Sequence, residues 1–153
     1  MRFCDSSFER SVYTVPDEWV QWISDWAGFV PQIDCFASPK NKRFSRYWDK
    51  QLDAFRQDWS CLRLWINPPF SVLSKVVGKL ASVSVSRAVV VVPKWQCASR
   101  WHDLDCITVN FWDPPKDFCC LKENGQVLPA PAWETRVCVV GGIFRRTTIF
   151  VCF

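Results

Sequence analysis

The sequence predicts an α/β domain: a mostly parallel sheet, helices on its faces, and an antiparallel hairpin at its C-terminal end. Three observations carry that expectation. Apolar runs with strand character alternate with stretches of helical period. The run Ala88-Val89-Val90-Val91-Val92-Pro93 is apolar on consecutive residues, as in a central parallel strand covered on both faces. At 153 residues, with no internal repeat and no dividing linker, the chain is long enough for one core. It reads as an N-terminal arm, residues 1–13, followed by a single domain, residues 14–153.

Composition narrows the classes. Apolar residues make up 49% of the chain and aromatic ones 16%, too many for a disordered polymer. The net charge of +4 permits a polyanionic partner without demanding one. Nine cysteines and a single histidine include no C-x-x-C pair, so no zinc site of ordinary ligand spacing is expected. The N-terminus opens no signal-peptide pattern, and the cysteines are expected to be reduced and mostly buried. No apolar run approaches the roughly 20 residues of a membrane-spanning helix. The expectation is a soluble intracellular protein, cytoplasmic or nuclear according to host, with no metal and no membrane partner.

Taken in order, the first clear period begins at Thr14. Thr14-Val15-Pro16-Asp17-Glu18 carries helix-start features: a capping Thr, a proline in the first turn, and two acids at the positive end of the dipole. Trp19, Trp22, Ile23, Trp26 and Ala27 recur on one helical face, which predicts a core-facing stripe, and Gly28 is the expected stop. Residues 31–37 read as a short strand with Asp34 inside an otherwise apolar stretch. A carboxylate there meets ligand hydroxyls or a cation, or else caps a turn. Residues 40–46 gather Lys40, Lys42, Arg43 and Arg46 around Asn41, with Phe44, Tyr47 and Trp48 among and beside them. Phosphates and bases suit that mixture, and so does water on a plain surface loop.

Residues 62–66 form the next strand. After Phe70, Ser71 is placed to cap a helix whose apolar stripe is Val72, Leu73, Val76, Val77 and Leu80, with Lys75 and Lys79 on the solvated side. The strand at 88–93 runs into Pro93-Lys94-Trp95. Trp101-His102-Asp103-Leu104 opens a short helix, and residues 107–112 form another strand. Residues 113–133, with several prolines, read as loop. Residues 137–144 and 147–153 are expected to pair as a hairpin across Arg145-Arg146, unless Gly141-Gly142 turns the chain earlier. Asp34, Asn67 and Pro93 all fall at carboxyl ends of strands, where α/β sheets bind ligands, so a single cleft is expected to gather them.

Between strand and helix stands Asn67-Pro68-Pro69-Phe70. The prolines fix φ and lack N–H donors, so the corner is stiff and its carbonyls are unused acceptors. The Asn67 side-chain oxygen and the Pro68 carbonyl give two acceptors above the flat Phe70 ring. Such a set suits an sp² amino group on a planar substrate. Its hydrogens are held, its lone pair leaves conjugation, and position and electrostatics aim it at an electrophile. An ordinary turn after a strand uses the same residues, so the neighbouring motifs decide.

In order and spacing those motifs resemble the phage-type, Dam-like DNA adenine-N6 methyltransferase family. The resemblance is carried by Thr14-Val15-Pro16, by Asp34-Cys35-Phe36-Ala37-Ser38 with Asn41, and by Tyr47-Trp48 and Asp58-Trp59. Asn67-Pro68-Pro69-Phe70 and the strand ending at Pro93 complete it. Asp53-Ala54-Phe55 and Pro93-Lys94-Trp95 also look like the related domain of DIRS-type retrotransposons. The resemblance implies a compact Rossmann-like, S-adenosylmethionine-dependent methyltransferase fold, with the N6 amino group of adenine in DNA as acceptor. It implies Asn67, Pro68, Pro69 and Phe70 as the catalytic corner, Phe70 stacking on an extruded base. Asp34, Ala37 and Ser38 would lie at the cofactor, with Thr14, Pro16 and Asp58 as further contributors. Lys40, Asn41, Lys42, Arg43, Arg46, Tyr47 and Lys94 would face the nucleic acid. The Gly-rich turn of larger methyltransferases is missing after Asp34, and only 33 positions part Asp34 from Asn67, so the wider fold's extra strands have no room between them. Phe70 in place of a tyrosine keeps the stacking face.

Two other functions fit the same residues. A catalytically inactive, nucleic-acid-binding remnant of a mobile element would bind DNA in a salt-sensitive way and ignore Asn67→Ala. A methyltransferase acting on an RNA base or a protein amide would turn the same corner on a different planar amine. Labelled methyl transfer offered to DNA, RNA and protein side by side separates the three.

Overall fold

The computed structural model describes residues 15–115, 118 and 133–141. The N-terminal arm, Thr14, most of the 113–133 stretch and the second strand of the expected hairpin lie outside the described residues. In chain order the elements are α1 Asp17–Ala27, β1 Ile33–Asp34, β2 Arg63–Ile66, α2 Leu73–Ser82, β3 Arg87–Pro93, α3 Trp101–Ile107, β4 Thr108–Trp112 and β5 Thr135–Val140. They form a mixed α/β domain around a five-stranded sheet of order β1-β2-β3-β5-β4.

Strands β1, β2 and β3 run parallel, with Asp34 opposite Trp65 and Ile66 opposite Val90. β5 enters between β3 and β4 and is antiparallel to both. Parallel and antiparallel pairings therefore balance, and the sheet is not mostly parallel. The reason lies in Thr135–Val140 itself, which is buried at every position. Such a strand belongs inside a sheet, whereas a terminal hairpin would leave it nearer an edge.

Side-chain alternation puts a core on each face. Leu64, Ile66, Val90 and Val92 pack with Val76, Val77 and Leu80 of α2 and Leu104 of α3. Trp65, Val89, Val91 and Val137 pack with Val20 and Ile23 of α1. Covered on both sides, the run at 88–93 explains its own unbroken apolarity.

Pro16 is the N-cap residue of α1, Asp17 and Glu18 occupy its first turn, and Gly28 ends it at φ 84. Val20, Ile23 and Ser24 are the buried positions, and of the expected stripe Trp19, Trp26 and Ala27 pack partly buried against the same core while Trp22 does not. Trp22 is 42% exposed, and its ring centroid lies 4.4 Å from that of Trp112 in β4. The indoles lean along the flank of the helix, where β4 offers an aromatic partner. Smaller side chains take the narrow space above the sheet.

Beyond Asp34 the expected strand at 31–37 breaks off, and the chain turns. Its outer edge is covered by a returning segment: the Asp34 N–H donates to the Arg46 carbonyl at 3.0 Å, and the Trp48 N–H donates to the Asp34 carbonyl at 2.9 Å. α2 is entered through a 3-10 turn, Phe70–Val72, with Val72 in the cap position, so Ser71 stays exposed and caps nothing. Lys79 is more than a solvated charge. Its ammonium donates to the carbonyls of Phe55 at 3.0 Å and Gln57 at 2.7 Å, and it lies 5.1 Å from the Trp59 ring. α3 takes in Ile107, one residue of the expected strand, and the Thr108 hydroxyl donates to the Leu104 carbonyl at its end.

Cys35 and Cys138 are buried thiols, whereas Cys61, Cys97 and Cys106 are exposed, so burial does not extend to most of the described cysteines. The exposed three lie on turns and on the outer side of α3. No described helix is long and apolar enough to cross a membrane, and no three His, Cys, Asp or Glu side chains among the described residues cluster as metal ligands.

Gly141 follows β5 with φ 95, and a Cβ there would stand 2.9 Å from the Val85 side chain and 3.1 Å from the Ser86 carbonyl. Strain and overlap coincide. Gly141→Ala is expected to destabilise the domain by about 1–3 kcal/mol. A lower urea midpoint at unchanged m is the readout, and an unmoved midpoint would count against this constraint.

Candidate active site

The three parallel strands end along one edge of the sheet, which brings the segments carrying Asp34, Asn67 and Pro93 side by side. Asn67, Pro69 and Phe70 are half-buried and Pro68 is buried. Among the described residues no hydrogen bond engages the Asn67 side chain or the Pro68 carbonyl, and neither residue lines the two cavities that border the corner. Pro69, extended at φ −60 and ψ 145, leads directly into the 3-10 turn. Pro69 and Phe70 consequently line different spaces. Pro69 borders a cleft of about 730 Å³, and Phe70 borders an apolar pocket of about 210 Å³. Among the described residues no cavity gathers the three strand ends as expected: Pro93 lines the smaller pocket, and Asp34 and Asn67 line neither.

The larger cleft is walled by the chain that follows β1, from Cys35 to Ser38, and by Asp49, Phe55 and Lys75 opposite and beside Pro69. Ala37 and Ser38, expected at the cofactor, are among its lining residues. Asp34 is fully buried and off its surface. Its Oδ2 accepts from the Arg43 N–H at 2.9 Å, which pins the turn that begins at Ser38. Within that turn Asn41 Oδ1 accepts from the Ser38 N–H at 2.8 Å, and Asn41 and Lys40 also reach the lining. Burial, with the Asp34 charge next to it, pushes the Cys35 thiol well above its usual value, so it stays neutral and unreactive.

The basic segment divides. The Arg43 side chain is only 16% exposed, donating to the Val15 carbonyl at 3.0 Å and pairing with Asp17 at 2.8 Å. It ties the turn to α1. Lys42 and Arg46 are exposed, with the Lys42 ammonium 5.8 Å from the Tyr47 ring. Lys94 is engaged instead with Asp113 at 3.2 Å and Glu134 at 3.9 Å. Asp58 is not brought to the cleft: it is an exposed turn residue, held below the usual carboxylate range by hydrogen bonds from the Ser60 hydroxyl and N–H. Pro16 serves as the α1 cap, and Thr14 lies outside the described residues.

Sequence reasoning overlooked Asp49 and Lys75 on the cleft. Lys75 carried no signal, because helical period alone assigns it to solvent; its ammonium lies 4.5 Å from the Phe55 ring. Phe55 was visible only as part of Asp53-Ala54-Phe55. The smaller pocket was not anticipated. Its aromatic members Phe70 and Trp95 meet edge to face at 5.1 Å, and Trp133 meets Phe70 at 4.8 Å.

An ion network steadies the wall of this pocket. Arg136, 10% exposed, receives Asp113 through bonds of 2.8 and 3.0 Å and stacks 3.9 Å from Phe111 and 5.4 Å from Trp101. Hydrogen bonding from Arg136 holds the Asp113 carboxyl below its ordinary value. The stabilisation this brings is complete above the unfolded-state pKa of about 3.9 and is lost as pH falls through the lower folded-state value. Asp113→Asn is expected to lower stability near neutral pH and to converge with the wild type in acid. Urea melts at several pH values test this; a difference independent of pH would contradict it.

The family model described as DNA N-6-adenine-methyltransferase (Dam) matches residues 7–110, a span that contains the corner, the larger cleft and the first three strands. No curated protein matches the chain.

Proposed function

Because the chain belongs to the DNA N-6-adenine-methyltransferase (Dam) family, we propose that it moves a methyl group from S-adenosylmethionine to the N6 amino group of adenine in DNA, across the Asn67-Pro68-Pro69-Phe70 corner. One observation carries this reading. The corner's Pro69 borders a nucleoside-sized cleft and its Phe70 an apolar pocket with Trp95 and Trp101, while no hydrogen bond among the described residues engages the Asn67 side chain or the Pro68 carbonyl.

The cleft's chemistry fits the cofactor. Phe36, Trp48 and Phe55 offer flat apolar surface for a purine, Asp49 and Asp53 offer carboxylates for hydroxyls or an amine, and lysines offer charge for a carboxylate. When bound, S-adenosylmethionine supplies an electrophilic methyl group. The residues of this chain do the rest by position. Asn67 Oδ1 and the Pro68 carbonyl accept the two amino hydrogens, which draws the nitrogen lone pair off the ring system and points it at the cleft. Phe70 stacks on the base. The proton displaced from nitrogen passes to water. Ala37, Ser38 and Asn41 contribute to the cofactor wall, while Asp34 and Arg43 shape it from behind.

Lys40, Lys42, Arg46 and Tyr47 contact the DNA backbone in this reading. Changing Lys42 and Arg46 together to alanine should weaken DNA binding and reduce its salt slope by about 2, with cofactor affinity unchanged. Loss of cofactor affinity instead would assign the loop to the other ligand. The reading as a whole is tested by offering methyl-labelled S-adenosylmethionine with DNA, RNA and protein in parallel. Label in DNA alone is expected.

A further inference from the structure

Within the reading just given, we propose that Arg100 is a specificity residue that donates to a ring nitrogen of the extruded adenine. Arg100 lines the smaller pocket with Phe70, Trp95 and Trp101, and among the described residues it is the only charged side chain on that lining. Stacking on aromatic rings accepts any base, because every base has a flat face. Discrimination needs a polar group. Apart from its amino group, adenine offers only acceptors, N1, N3 and N7, and a guanidinium offers only donors; guanine shares N3 and N7 but carries an N–H at N1, so a contact at N1 also separates the purines.

Two features hold Arg100 in place. Its Nη1 donates to Asp103 Oδ2 at 2.7 Å, which leaves other N–H groups for a ligand. Gly78, in the middle of α2, faces it: a Cβ at Gly78 would stand 3.0 Å from Arg100 Nη2. Glycine weakens a helix interior relative to alanine. Here it gives the guanidinium room to lie against α2 beside the pocket. The helix thus carries a locally unfavourable residue at the point where Arg100 passes.

The test uses the full chain, S-adenosylmethionine and one DNA fragment synthesised four ways, with adenine or with 1-, 3- or 7-deazaadenine throughout. Arg100→Met and Gly78→Ala are compared with the wild type by kcat/KM, and their melting temperatures are measured. Gly78→Ala should melt no lower than the wild type, since it removes a helix-weakening residue while displacing the guanidinium. On adenine DNA, Arg100→Met is expected to lose roughly ten- to a hundredfold and Gly78→Ala a smaller factor. On the deaza fragment lacking the contacted nitrogen the penalty should shrink, the wild type having already fallen toward the variants. The same penalty on all four fragments, or none on adenine DNA, would overturn the assignment and leave Arg100 a structural partner of Asp103. A wild type that methylates no adenine DNA would instead remove the function on which the inference rests.

Discussion

Asn67→Ala is expected to lower methyl transfer by about 10²–10³-fold while S-adenosylmethionine binds as before. The expectation follows from where the side chain stands. Asn67 leaves β2 half-buried, its side chain forms no hydrogen bond among the described residues, and it stands two positions before Pro69, which borders the larger cleft. It is not itself on that cleft's lining. On the proposed function its removal would take one acceptor from the amine and nothing from the cofactor, so the loss should fall on turnover. Asn67→Asp retains an acceptor and should keep part of the rate. Equilibrium binding and single-turnover kinetics separate the two effects. A variant that loses cofactor affinity with turnover intact would move Asn67 into the cofactor site.

Trp59→Ala should produce the largest loss of stability, about 3–5 kcal/mol against a typical total of 5–15. Trp59 is fully buried, its indole N–H donates to the Ala54 carbonyl at 2.8 Å, and its ring stacks on Phe55 at 6.3 Å. The Lys79 ammonium covers the same ring while holding the carbonyls of Phe55 and Gln57. One side chain therefore fixes the turn Ala54–Arg56 and, with it, the Phe55 wall of the cleft. Trp59→Phe keeps most of the ring but abandons the N–H bond, and should cost about 1–2 kcal/mol. The order alanine worse than phenylalanine in urea melts supports this account. An alanine variant as stable as the wild type would mean the turn is held elsewhere.

Elements whose residues face one kind of environment were legible in the sequence. The run at 88–93 is covered on both faces and shows it. Gly28 ends α1 because the chain must enter a left-handed conformation there. Local pattern failed where a distant partner decides. Arg136 interrupts the apolar pattern of β5, yet it is buried because Asp113, Phe111 and Trp101 receive it, and no local signal announces those partners. The tryptophans of α1 have core-like spacing, and Trp19 and Trp26 do pack on the core, but Trp22 stays 42% exposed against Trp112.

At the site, the Asn67–Phe70 corner was legible because two prolines dictate backbone geometry without help. Arg43 and Lys94 looked like phosphate contacts because charge is visible in a sequence and ion pairing across 26 or 19 positions, to Asp17 and Asp113, is not. Asp58 looked like a ligand group for the same reason. The carboxylates that reach the cleft, Asp49 and Asp53, belong to turns flanking Phe55.

If the corner presents an adenine amino group to a methyl donor held beside Pro69, the label tells. DNA methylated with labelled S-adenosylmethionine is digested to nucleosides and the label located. The expectation is label in N6-methyldeoxyadenosine, and none when Asn67→Ala replaces the wild type. Label in another nucleoside, or equal label from Asn67→Ala, would contradict it.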